Sequence, residues 1–468
     1  MFNSIKEKVN KFLYSDYYLY ALAIVSFISW LLMHFTSLPF YYFGYSALLI
    51  STIISFIFAD DVYPFTPIVL FGMVIVDNST GLFDHNSIPM ALYAVLIIYI
   101  ILLAIFIIKN KTNILKAKLR NSYLVMGIIA IPVLFVSISG KLGFTEYLIP
   151  FALLAYALVY MGFVTGHKVN HDLKKHAMMI LILVAIITVI DMVIIILQNR
   201  GTEYNVVGSC GWTNRNVGVI SINFAVGGAF YLLSKKNNIK GVIIDFIVIL
   251  FLTMGIILTT SRGGLLIYAL TIIPYVVYTY KKIDKSMKKT YLISLGVLAL
   301  CLIGVAGIFH NIVSAFIYKI FEKIKVDGGV DAGRFDMWKE GFNRYTSSIK
   351  NIFVGEGLRV DVYQDSNTPY IYMYHNAFLQ MLFAGGIIGV ILYLYNLGET
   401  TWYIFKNRKS NFGFYALILF VGMFVHSMVD NLFISPTYML SLFILLMGLE
   451  NDNEVKQIEN SSLESENN

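Results

Sequence analysis

The sequence predicts an all-α, polytopic transmembrane helical bundle of about 12–14 spans, with a long, partly helical extracytoplasmic loop. Three observations predict it. Of 468 residues, 58% are apolar and only 13% charged, whereas a soluble domain carries about 25% charged residues. Mean hydropathy is +0.72. Apolar runs of bilayer-crossing length follow one another with short polar breaks. Lipid leaves backbone groups without partners, so such runs are helices or barrel strands. MMILILVAIITVIDMVIIIL lacks the alternation of a barrel strand, so helices follow.

In order, the spans fall at 17–36, 38–59, 62–77, 90–108, 121–139, 146–165, 177–197, 216–233, 241–260, 263–280, 290–309, 376–396, 411–429 and 436–449. The third and the last are short, which leaves the count between 12 and 14. The chain divides into an N-terminal bundle (1–308), a large extracytoplasmic loop (309–375), C-terminal transmembrane helices (376–450) and a polar, disordered cytoplasmic tail (451–468). KEKVNKF precedes the first span with no small-residue cleavage site, which reads as an uncleaved first helix.

Alternate loops are basic: KEKVNK, KNKTNILKAKLR, HKVNHDLKKH, KKNNIK, KKIDKSMKK and KNRK. With these spans all six fall on one side, and the positive-inside rule makes that side the cytoplasm, both termini included. The net charge of +7 is spread through these loops, with no contiguous face for nucleic acid. There are two cysteines, Cys210 in a polar connection and Cys301 inside an apolar run, so no disulfide framework or zinc site is expected. There is no H-E-x-x-H, and Asp327, Asp331 and Asp336 form no tight pair, so chemistry without metal or cofactor is expected.

The long loop runs from about His310 to Tyr374. IVSAFIYKIFEKIK and AGRFDMWKEGFNRY in it have apolar residues at helical spacing. A loop this long in a compact protein is usually functional or disordered, and its aromatic, amphipathic pattern argues for order.

Four stretches on the predicted outer side carry candidate chemistry. They are GWTNRNVG, with Asn214, Arg215 and Asn216; TTSRGG, with Ser261 and Arg262; DAGRFDMW, with Arg334 and Trp338; and YMYHNAFLQMLFAGGIIGV, with His375 and Asn376. Arg262 at a helix end reads blandly as a residue that snorkels into headgroups. Flanking Ser261, Gly263 and Gly264 favour a turn that lets a ligand approach, and a guanidinium is the preferred binder of phosphate. His375 is either a satisfied interfacial histidine or a base that takes a proton from a hydroxyl. Trp338 is a packing anchor or a sugar platform. Gly385, Gly386 and Gly389 read as close helix packing. VGEGLR, which includes Arg359, reads as a turn. His426 and Asp430 are four apart, which puts them on one helix face if the helix continues. They could pair with each other or with an arginine. Asp191 is an intramembrane carboxylate and so a functional suspect.

The ordered set of these motifs resembles the superfamily of bacterial O-antigen ligases and polysaccharide (O-antigen, capsule) polymerases. It comprises N-R-N before a helix, S-R-G-G between spans, G-R-x-x-x-W in a long outer loop, G-x-G, H-N-x-x-L-Q followed by G-G-I-I-G, and a late H-x-x-x-D. The resemblance covers about residues 205 to 450. It implies a metal-independent, inverting glycosyl transfer at the outer face of the bacterial cytoplasmic membrane, from an undecaprenyl-pyrophosphate-linked oligosaccharide. Arg262 and Arg334, with Arg215, would hold the pyrophosphate. His375 would orient or deprotonate the acceptor hydroxyl, with Asn376 and Asp430 in support. Asn214, Asn216, Ser261, Trp338, Arg359 and His426 complete the substrate-binding candidates. The lipid bilayer, a flippase and a chain-length regulator are the partners it suggests. Loops rich in Lys, Asn and Ile, in the style of low-GC bacteria, favour a surface-polysaccharide polymerase over a ligase. A lipid-linked glycan flippase or transporter is the rival from another class, but no repeated halves are evident.

Overall fold

The computed structural model describes residues 2–36, 40–75, 90–137, 156–165, 167, 172–198, 209–210, 213–259, 261–308, 314, 334–357, 360–362, 369–371, 374–430, 435 and 437–450. It is a polytopic helical bundle. Each predicted span overlaps a helix. Among the described residues eight helices are long and apolar enough to cross a membrane, and four shorter apolar helices accompany them. Of the long loop, AGRFDMWKEGFNRY forms the helix Arg334–Tyr345, followed by the short helix Ile349–Val354. The stretch 315–325 of IVSAFIYKIFEKIK and the tail 451–468 lie outside the described residues.

Two helices make the centre. In Asn216–Leu233, 83% of the span is buried within the protein, and in Leu173–Ile194, 72%. Lys285–Gly304 buries only 17% and turns Leu292, Ile293, Val297, Leu300 and Ile303 outward, the lipid-facing pattern.

The helices Arg215–Leu233, Arg262–Lys282 and Asn411–Ser427 meet one another through glycines. A Cβ on Gly264 would lie 2.3 Å from Val219 Cγ2, one on Gly227 2.9 Å from Leu419, and one on Gly422 2.8 Å from Ile267. Lipid tails are as apolar as the side chains, so association between membrane helices comes from such close van der Waals packing.

The ends of the bundle differ in chemistry. At one end the basic loops gather. Lys175 and His176 pair with Asp16. Glu450 accepts from Tyr160 Oη and Lys118 N, both 3.0 Å. Asn411 Nδ2 donates to Ser234 Oγ at 2.9 Å. Tyr14 Oη donates to Asp61 Oδ1 at 2.8 Å; burial first, then the Asp61 charge, pushes its pKa up and keeps the phenol neutral. Lysines there lie over rings, such as Lys288 Nζ at 4.9 Å from the Tyr280 centroid. The candidate residues Asn216, Ser261, Arg262, His375 and Asp430 lie at the opposite end, because the helices that carry them run antiparallel in alternation.

Four sequence expectations are corrected. The N-terminal KEKVNKF segment is itself an amphipathic helix, Phe2–Leu13, distinct from the first span. The span expected at 376–396 continues to Lys406, since a helix satisfies its own backbone past the point where apolar composition ends. That helix also breaks at Gly386 (φ 63°, ψ −162°), where tight packing alone was expected. Finally, His426 and Asp430 do not share a helix face: the helix ends at Ser427 and Asp430 lies in the turn beyond it.

Candidate active site

Each of the three arginines opens a helix. Arg215 is the first residue of Arg215–Leu233, Arg262 of Arg262–Lys282 and Arg334 of Arg334–Tyr345. A helix N-terminus already carries roughly +0.5 charge, so a cation there is disfavoured by a few tenths of a kcal/mol unless an anion joins it. Arg262, placed against that rule at a capped helix start, is a candidate binder for an anion.

The turn before Arg262 is built by Ser261. Its Oγ accepts from Gly264 N at 3.2 Å, capping the helix, and donates to Asn216 Oδ1 at 3.0 Å. This ties the N-R-N and S-R-G-G motifs together. Arg262 is half-buried, and among the described residues its guanidinium has no carboxylate partner. Gly263 faces the imidazole of His426: a Cβ there would lie 3.1 Å from His426 Nε2. Asp430 and Arg334 both lie within electrostatic reach of His426, which is 1% exposed.

His375 sits in the left-handed region at φ 50°, a conformation rare for a residue other than glycine and held only where the surroundings impose it. The bonds of its two neighbours impose it here. Trp338 Nε1 donates to Tyr374 O at 2.7 Å, and Tyr374 N donates to Gln380 Oε1 at 3.0 Å. Asn376 caps the next helix, accepting from Leu379 N at 3.0 Å, and its Nδ2 donates to Met428 O at 2.9 Å. The imidazole, about one-third exposed, then places Nδ1 3.2 Å from Asp430 Oδ1. With Nδ1–H donating to the carboxylate, Nε2 is left as the acceptor, the orientation of a general base.

The long loop is docked by the helix break. At Gly386 the helix Ala377–Lys406 frees two carbonyls, and Glu356 N and Gly357 N bond Phe383 O and Ala384 O at 2.9 and 3.0 Å. Glu356 in turn accepts from Tyr374 Oη at 3.1 Å and pairs with Arg344 at 3.6 Å. Glu356, Tyr374 and Gln380 were missed from sequence, although Tyr374 and Gln380 stand within the quoted histidine stretch; their roles depend on a fold of the loop that no local pattern encodes. Asn214 pairs with Ser209 in a two-stranded ribbon, and the side chains of Asn214 and Arg215 lie outside what is described, as does Arg359. Asp191 is buried within the helix Leu173–Gln198.

No curated protein matches the chain. A family model described as O-antigen ligase matches residues 246–394, a segment that holds Ser261, Arg262, Arg334, Trp338, Arg359, His375 and Asn376 and leaves out the N-R-N stretch, His426 and Asp430. Residues 246–394 therefore match the O-antigen ligase domain, whose family members are membrane glycosyltransferases.

Proposed function

We propose that the protein is a surface-polysaccharide polymerase working at the outer face of the bacterial cytoplasmic membrane. It transfers glycan from undecaprenyl pyrophosphate to the acceptor hydroxyl of another lipid-linked repeat unit. The observation that carries this reading is the union of a guanidinium at a helix N-terminus, Arg262, with an oriented His375–Asp430 pair at the same end of the bundle. His375 Nε2 takes the proton of the acceptor hydroxyl as its oxygen forms a bond to the anomeric carbon. The bond from that carbon to the pyrophosphate oxygen breaks, and the pyrophosphate departs with the electron pair on the opposite face, which inverts the centre. Arg262 and Arg334, with Arg215, neutralise the charge that grows on it; such preorganised cations act most strongly where water is excluded. Asp430 holds the imidazole in the orientation that turns Nε2 toward the acceptor. Activation by pyrophosphate removes the need for a nucleotide sugar outside the cell. The basic loops at the far end support a cytoplasmic position for that end.

The ligase description of the matched domain favours one second reading, transfer of the glycan to a different acceptor. Gel analysis of surface glycan in a deletion strain separates the two. A ladder that collapses to single repeat units supports a polymerase; long chains that persist unattached support a ligase. In complementation, Arg262→Ala and His375→Ala are expected to insert normally and give no chain extension. Long chains from either variant refute the site.

A further inference from the structure

Beneath Arg262, between the helices Arg215–Leu233, Arg262–Lys282 and Asn411–Ser427, lies a cavity of about 10 Å³. Its lining includes Asn223, Thr271, Tyr275 and His426, with apolar residues such as Phe224 and Leu419 around them. All four of these polar side chains are more than nine-tenths buried: Tyr275 and His426 are each 1% exposed, Thr271 5% and Asn223 6%. Asn223 Oδ1, Tyr275 Oη and His426 Nδ1 are all buried, and none has a hydrogen-bond partner among the described residues. Buried polar atoms are nearly always paired, and three orphans on one small cavity call for a common partner.

The protein fixes each of these atoms in place. Asn223 Nδ2 already donates to Val219 O at 2.9 Å and Gly264 O at 3.4 Å, which leaves Oδ1 as the free acceptor. The ring of Tyr275 is stacked between Phe230 (5.6 Å between centroids) and Tyr415 (5.9 Å), so its hydroxyl cannot swing away. Gly227 makes room for that hydroxyl: a Cβ there would come within 2.8 Å of it. Thr271 Oγ1 is satisfied by Ile267 O at 2.8 Å. The unsatisfied set is one obligate acceptor, one hydroxyl that can donate, and one imidazole nitrogen that does either according to its tautomer.

We infer that this cavity is a bound-water site and that His426 is a positioning residue held by it. One water molecule accepts from Tyr275 Oη, donates to Asn223 Oδ1 and exchanges a third hydrogen bond with His426 Nδ1. Buried waters typically make about three such bonds, and about 10–15 Å³ of free space is what one water needs. A hard cation would need six or more oxygen ligands, which this set does not offer. The water locks the imidazole at the angle that presses it on Gly263, and so sets the first turn that carries Arg262. This last step, from the turn to catalysis, rests on the proposed function; the water site itself does not.

The test is a structure of the full chain in lipid nanodiscs at a resolution where ordered waters are visible, for the wild type and for Tyr275→Phe. The wild type is expected to show a spherical density peak within hydrogen-bond distance of all three atoms, and the variant to lose it. Solid-state NMR of 15N-histidine-labelled protein gives the second readout, with His426 assigned through His426→Gln. Its Nδ1 signal should exchange magnetisation with water protons in the wild type, and that contact should vanish in Tyr275→Phe while the other histidine signals stay unmoved. A wild-type cavity without density overturns the inference. So does a peak that survives Tyr275→Phe with an unmoved His426 signal. Neither readout involves glycosyl transfer, so failure of the catalytic reading would leave these results, and the presence or absence of the water, unchanged.

Discussion

Replacing Gly386 by alanine should undock the long loop from the bundle without unfolding the bundle. Gly386 has φ 63° and ψ −162°, a region open in practice only to glycine, and forcing a side chain into it costs about 1–3 kcal/mol. The new Cβ would also lie 2.4 Å from the carbonyl carbon and oxygen of Phe353, so one backbone must move. The contact is reciprocal, since a Cβ on Gly355 would meet Ala384 O at 2.3 Å. Separation breaks the bonds from Glu356 N and Gly357 N, worth about 1 kcal/mol each. Together these effects weaken docking by about 3–5 kcal/mol, or at least on the order of a hundredfold in the opening equilibrium. Hydrogen exchange in nanodiscs reads this directly. Amides of 353–357 should exchange at least on the order of a hundredfold faster, while the core helix Leu173–Gln198 keeps its protection. Because Glu356 holds Tyr374, which precedes His375, transfer activity should fall in parallel. Unchanged protection at 353–357 would refute the claim that the break and the loop are one device.

Other perturbations follow from single contacts. Asp430→Asn removes the charge that supports His375 and should lower turnover by about 100-fold or more with little change in donor KM; an equal loss in KM would make Asp430 a binding group instead. Trp338→Phe deletes the bond to Tyr374 O and should cost about 1 kcal/mol of loop stability, visible in the same exchange experiment. Ser261→Ala loses the cap of the Arg262 helix and the bond to Asn216, about 1–2 kcal/mol, and should lower the thermal midpoint in detergent. At the other end, Glu450→Ala leaves Tyr160 Oη and Lys118 N without their acceptor and should destabilise by about 1–3 kcal/mol with the site geometry intact. A cysteine placed at exposed Lys339 should react with an impermeant reagent from outside the cell; protection there would invert the topology.

Composition and periodicity alone determined the class of the protein. Lipid as solvent forces helices of bilayer length, and hydropathy records that length locally; hence the spans were legible, as was the amphipathic helix at Arg334, whose apolar spacing is a property of a dozen consecutive residues. The candidate residues were also nameable, because guanidinium, imidazole and glycine each have narrow chemical uses. What joins to what was not legible. The Asp430 carboxylate meets Nδ1 of His375, 55 residues away, while its backbone N–H bonds His426 O where the helix ends after Ser427. The break at Gly386 exists because a distant loop arrives to take the freed carbonyls. The buried triad of Asn223, Tyr275 and His426 comes from three helices and looks, in each of them, like an ordinary polar residue in an apolar run. Secondary structure in a membrane follows from interactions a few residues apart, whereas a site is a coincidence of helix ends, and only packing in three dimensions decides which ends meet.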